Sequence, residues 1–175
     1  MAWPRPRLPY VQKRHRVGLL SARLWLRHML FWGGAVGVGL AATAFALASD
    51  FAHALFGHVL AASPWLPLLT TPLTLAGVAA LTQRYFKGAE GSGIPQTIAA
   101  IRMPDGPGRD RVLSLRLAAA KMLLTCVGLA GGASVGREGP TVQVGAALLY
   151  NLRWLIRFPG HLMERGLIVA GGGAG

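Results

Sequence analysis

Residues 29–49 run for 21 positions without a charged side chain, and residues 51–83 contain no Asp, Glu, Lys or Arg. Uncharged stretches of this length constrain the fold more than any other feature of the chain. At about 1.5 Å per residue, the first covers the roughly 30 Å hydrocarbon core of a bilayer. It is rich in Ala, Gly, Leu and Phe and reads as a membrane helix that ends at Asp50. Gly33 and Gly37 form a G-x-x-x-G pair, the spacing that lets two membrane helices approach closely. The residues after Asp50, with His53 and His58, read as a loop or an interfacial stretch before Ser63-Pro64. The two histidines are five apart, not at the i, i+4 spacing of a helical metal pair. Residues 65–82 read as a second membrane helix, with Pro67 and Pro72 tolerated near its start. Arg84, Tyr85 and Lys87 then mark a return to the membrane interface.

Charged residues make up 14% of the chain, against about 25% in soluble domains. The 24 glycines suit close-packed membrane helices. A net charge of +12 raises the question of nucleic acid. The hydropathy demands lipid first, so basic residues are read as flanks and loops, and no nucleic-acid partner is expected. Arg5, Arg7, Lys13, Arg14, Arg16, Arg23 and Arg27 fall within residues 1–28 with no acid among them. By the positive-inside rule this is a basic cytoplasmic tail, with residues 18–26 forming a short amphipathic surface helix. A mitochondrial transit peptide is the minor alternative. Cys126 is the single cysteine, which excludes an internal disulfide and reads as a small buried thiol.

Two glycine-rich turns stand out against this background. Gly91-Ser92-Gly93-Ile94-Pro95 precedes an apolar run, residues 97–101, that is too short to span. A polar Pro/Gly loop, residues 102–111, follows it. The expected element is a half-helix that starts inside the protein and ends at its surface, with Ser92 adding a hydroxyl to free N–H groups. A Ser N-cap on a surface helix is the simpler alternative. Residues 112–135 form a third long apolar segment, interrupted by Arg116, which can snorkel, and Lys121, which should face protein or water. Gly136-Arg137-Glu138-Gly139-Pro140 closes it. Gly136 and Gly139 give this turn access to positive φ and to close approach. Pro140 suits the first turn of a helix running to about Leu152. Such a terminus is an anion site, because its donors are free and the helix dipole is positive there. Glu138 is then a built-in anion in its own site. The competing reading is an ordinary acidic cap. Arg153, Arg157, Pro159 and His161 mark another interface, and residues 166–175 begin one more glycine-rich helix. The chain stops inside it, as a truncated chain would.

The two turns together resemble the signatures of the chloride channel/transporter (ClC) family, whose motifs G-S-G-I-P and G-[KR]-E-G-P match residues 91–95 and 136–140. The continuation Thr141-Val142-Gln143-Val144-Gly145 is similar too, and Lys121 falls where that family often keeps a basic residue. Gln96 departs from the Glu that commonly follows the first motif, which bears on packing near the half-helix. The resemblance implies an all-α multi-pass membrane protein, the first part of a fold of two inverted repeats, with half-helix N-termini pointing at an anion path. It implies a central chloride held by the Ser92 hydroxyl with Gly93 and Ile94. It implies an outer chloride held by backbone N–H groups around Arg137, Glu138 and Gly139, and a gating role for Glu138. The implied function is chloride transport, as a voltage-gated-type channel or a proton/chloride exchanger, by a homodimer with a pore in each subunit. It would sit in the inner membrane if the source is bacterial, with the N-terminus cytoplasmic. Chloride, protons and lipid are the implied partners, no cofactor is expected, and no enzyme activity. Residues 29–175 would be an incomplete membrane domain, with the later pore signature, the inner tyrosine, the proton-transfer glutamate and the dimer helices beyond Gly175.

Two rival readings differ in class. Gly132-Ala133-Ser134-Val135-Gly136 matches the G-x-S-x-G of a serine hydrolase, which needs a strand-to-helix elbow and an Asp/His pair. A structural membrane subunit with no pore is the other.

Overall fold

The computed structural model describes residues 22–104, 106–154 and 161–175. Their regular structure is entirely helical. In chain order the helices are α1 (Ala22–Ala62), α2 (Leu66–Tyr85), α3 (Ile94–Arg102), α4 (Pro107–Val112), α5 (Leu115–Ala130), α6 (Glu138–Asn151) and α7 (His161–Ala174), with a 3₁₀ turn, Leu152–Trp154, after α6. Among the described residues, three helical stretches are long and apolar enough to cross a membrane: Phe31–Ala62, Leu66–Tyr85, and Pro107–Ala130, which joins α4 to α5. The tail before Ala22, and with it the start of the expected surface helix, lies outside the described residues, as do Asp105, Arg157 and Pro159.

The break expected at Asp50 is absent, and α1 continues for 41 residues to Ala62. No proline interrupts it, and Ser49 Oγ folds back onto the Phe45 carbonyl at 2.7 Å. The charge on Asp50 is met by Arg137 Nη1 at 2.7 Å, so an acid within an apolar helix has a partner from elsewhere in the chain. At about 1.5 Å per residue, α1 is roughly 60 Å long, twice the hydrocarbon thickness. It stops where Pro64 denies helical backbone to Ser63. His53 lies inside this helix, not in a loop, with Nδ1 3.1 Å from the Ser49 carbonyl oxygen. No group of metal-ligating side chains forms among the described residues.

Helix α6 is the centre of the bundle and packs on α1, α3, α5 and α7. Nine of its 14 residues are buried. Val144, Ala146, Ala147 and Tyr150 meet Ala100 of α3, Ala118 of α5 and Ile168 of α7 in the main core. Val38 of α1 and Leu167 of α7 enclose Leu149 on another side. The small residues here permit backbone contact: a Cβ on Gly145 or Gly171 would overlap the other's carbonyl oxygen, so α6 and α7 cross at van der Waals distance. The G-x-x-x-G pair is not the contact face of α1. Gly33 and Gly37 have open space around them, whereas a Cβ on Gly34 would overlap Leu149. The face of α1 that meets α6 is the one carrying Gly34 and Val38.

Helix α2 is peripheral. Only 6% of its most apolar window is buried, against 44% for the stretch containing α5. Trp65 at the N-cap of α2, Leu68, Leu69 and Leu73 within it, and Trp32, Val36, Leu40 and Leu47 of α1 are exposed. An apolar surface of that extent is unstable in water and suits hydrocarbon. The expected short α3 is present, nine residues or about 13 Å, too short to span. The polar loop after it contains the additional helix α4, which starts at Pro107.

Candidate functional site

The two glycine-rich turns touch. Gly93 is the N-cap of α3 and has φ of +101°, a left-handed conformation costly for any residue with a Cβ. A Cβ on Gly93 would lie 2.7 Å from the Gly139 carbonyl oxygen and 3.0 Å from Gln143 Cβ and Oε1. From the other side, a Cβ on Gly139 would lie 2.8 Å from Ser92 Cβ and would overlap the Ser92 carbonyl. The start of α3 and the first turn of α6 are therefore in direct backbone contact. Each helix leaves its first N–H groups without partners in its own helix, so two positive dipole ends meet at one place.

The second turn is built differently from the expectation. Neither Gly136 nor Gly139 has positive φ; that conformation falls at Gly91 and Gly93 in the first turn and, outside the two turns, at Gly88, Gly106 and Gly132. A Cβ on Gly136 would meet nothing within 4 Å, while Gly139 is needed for closeness to Ser92. Helix α6 begins at Glu138, two residues before Pro140, with Arg137 as N-cap at φ −85° and ψ −23°. Pro140 is buried in the first turn, where its missing N–H costs no helical hydrogen bond. Glu138 is thus the first helical residue, and its side chain is exposed. Its carbonyl accepts from Thr141 Oγ1 at 2.7 Å, while its carboxylate meets no donor among the described residues.

Ser92 precedes the N-cap and makes no capping bond, which removes the simple Ser N-cap reading. Its hydroxyl has no partner among the described residues. The carbonyls just before it are held from behind. Lys121 Nζ donates to the Gly91 carbonyl at 3.1 Å and to that of Glu90 at 3.5 Å. Gln96 Nε2 also donates to the Glu90 carbonyl. Because a trans peptide sets its C=O and N–H in opposite directions, Lys121 orients the Ser92 N–H away from itself. The departure at Gln96 is thereby explained, since an ionised Glu has no donor to give that carbonyl. Lys121 is 3% exposed, turned onto protein as expected. Arg116 remains exposed, its guanidinium 5.9 Å from the centre of the Phe86 ring.

The residues of the candidate site are not equally placed. Ser92, Gly93 and Gly139 come together; Ile94 is 42% exposed and contributes backbone at the start of α3. The Arg137 side chain is committed to Asp50 and to the Ala46 carbonyl, at 3.4 Å, which ties the second turn to α1. Only its backbone is available to an anion. At the opposite end of α6, Asp110 of α4 accepts from Tyr150 Oη at 2.8 Å and pairs with Arg153. Asn151 Nδ2 donates to the Leu113 carbonyl at 2.8 Å. In the sequence Asp50 reads only as the end of a span, Gln143 only as part of the second motif's continuation, and Asp110 only as part of a polar loop. A lone acid between two long uncharged runs is the available signal for the pairing of Asp50, and the motif's continuation is the signal for Gln143; Asp110 carries none.

The serine-hydrolase motif lies between helices α5 and α6, and no strand precedes Ser134. The nucleophile elbow that the motif requires is absent from this segment.

The family profile described as Voltage gated chloride channel matches residues 73–175, more than half of the chain and both turns. The chain belongs to the voltage-gated chloride channel family. A curated member, the putative chloride channel protein ClcB-like of Ralstonia nicotianae, is 31% identical over 158 residues, covering 89% of this chain and 32% of the relative. The chain therefore spans about a third of that relative's length. No solved structure matches. Family membership, the all-helical architecture and the membrane-length helices together make this an integral membrane segment of a chloride-transporting family.

Proposed function

We propose that this chain forms one wall of a chloride path, with the anion held where α3 and α6 begin. The observation that carries this reading is the contact of Ser92 and Gly93 with Gly139, which brings two helix N-termini to one point. Chloride is a compact monovalent anion with no lone direction of bonding. It suits a cluster of N–H and O–H donors backed by positive dipole ends. The Ser92 hydroxyl and the backbone of Gly93 and Ile94 hold a central ion; the N–H groups of Arg137, Glu138 and Gly139 hold an outer one. The Glu138 carboxylate carries the same single negative charge and competes for the outer position. Protonation removes that charge and opens the position, so flux rises as external pH falls.

The same reading extends to the whole transporter. It works as a homodimer, with the N-terminus cytoplasmic and residues 1–28 as a basic tail ahead of a membrane domain that begins near residue 29. It lies in the inner membrane if bacterial. Glu138 serves a passive channel as a gate and an exchanger as a proton carrier, and one experiment separates the two. A hybrid in which this chain replaces the matched segment of the Ralstonia relative is reconstituted in liposomes, with chloride efflux and proton movement followed together. The hybrid should pass chloride. Glu138→Gln should keep the flux, flatten its pH dependence and abolish any coupled proton movement. Retention of the same pH profile and the same proton-to-chloride ratio would make Glu138 a cap; no chloride flux from any hybrid would leave a structural subunit as the better reading.

A further inference from the structure

We propose that Gln143 is a positioning residue that sets anion selectivity by fixing the spacing between the Ser92–Gly93 turn and α6. The inference rests on the chloride-path reading and adds a residue to it. Gln143 is five positions after Glu138 and is 1% exposed. Its Nε2 donates to the Val112 carbonyl at 3.0 Å, at the end of α4. Its Cβ and Oε1 lie against Gly93, each 3.0 Å from where a Cβ there would be. One side chain on α6 thus touches the N-cap that opens α3 and the carbonyl that closes α4. Those two points bracket the whole excursion from the first motif to α5. Sliding α3 and α4 together along α6 requires that bond to break and the Gly93 contact to open.

The amide is an unexpected choice for this position if filling space is all it does. Methionine has similar volume and buries no polar atom, whereas Gln143 Oε1 has no donor among the described residues. A buried acceptor without a partner is costly and calls for a reason. The directional bond to Val112 supplies one: it locks the side chain in a single geometry, which a flexible thioether cannot do. Selectivity between anions of different size depends on how rigidly the donors keep their separation. With Gln143 in place the Ser92 and Gly139 donors are fixed in register for a small ion. Without the tie, the turns part more readily and admit a larger one.

The test uses the hybrid transporter that carries this chain, in lipid nanodiscs, with chloride binding read by NMR line broadening and nitrate as the competitor. Gln143→Met should still bind chloride, while the affinity for nitrate relative to chloride rises about threefold to tenfold, the range that one net hydrogen bond allows. The unfolding temperature is measured in parallel. A fall in stability with an unchanged nitrate-to-chloride ratio overturns the inference, because a merely structural residue would behave so. Should Gln143→Met fail to insert, Gln143→Asn, which keeps the amide but is one carbon too short to reach Val112, is held to the same outcome. A hybrid with Gln143 intact that binds no chloride defeats the chloride-path reading and this inference with it. Wild-type binding with an unchanged ratio in the variant defeats the inference alone.

Discussion

Adding one methyl group at Gly139 should damage the site far more than adding one at Gly136, three residues away in the same motif. The new Cβ at Gly139 would lie 2.8 Å from Ser92 Cβ and would overlap the Ser92 carbonyl. Carbon atoms prefer about 3.5–4.0 Å, so the two turns must part by roughly 1 Å. Both neighbours are backbone or backbone-attached atoms, with no flexible end to swing aside. Overpacking of this kind costs about 1–3 kcal/mol. If the cost falls on the junction of the two turns, chloride affinity drops about 5- to 150-fold at 1.4 kcal/mol per decade. Gly136 has neither a near neighbour nor positive φ, so Gly136→Ala should change affinity and stability little. The assay is chloride line broadening by the hybrid transporter in nanodiscs, alongside thermal unfolding, for wild type and both variants. Near-wild-type behaviour of Gly139→Ala would refute the contact between the turns. Equal damage from Gly136→Ala would mean that the motif needs its glycines for backbone freedom, not for closeness.

Two further outcomes test the setting of the site. Asp50 and Arg137 keep 63% and 44% of their side chains exposed, and an ion pair open to water to that extent is weak. Asp50→Asn should therefore lower unfolding stability by at most about 1 kcal/mol; a loss of about 3–5 kcal/mol would show that lipid or protein desolvates the pair. A cysteine at Ala2, with Cys126 replaced by Ser, should resist membrane-impermeant maleimide applied outside intact cells, and ready labelling would invert the topology.

Membrane insertion and helix starts are local properties, which is why they are legible in the chain. Length and scarcity of charge determine that α1, α2 and the stretch joining α4 to α5 can cross a bilayer, and nine residues between a Gly-rich turn and a polar loop cannot. The two motifs carry the family and the placing of two free helix N-termini. Tertiary structure decided what depends on partners far along the chain. Asp50 does not end α1 because Arg137, 87 residues later, meets its charge. Gly34, not Gly33 or Gly37, makes the helix contact because rotation of α1 is set by Leu149 of α6. The glycines of the second motif read alike as letters, yet Gly136 lies in open space while Gly139 abuts Ser92. Gln143 reads as one more polar residue in a helix until folding brings Gly93 and Val112 to either end of its amide. Hydropathy is a sum over neighbours in sequence, whereas close approach and charge pairing belong to neighbours in space, and only the packed bundle specifies those.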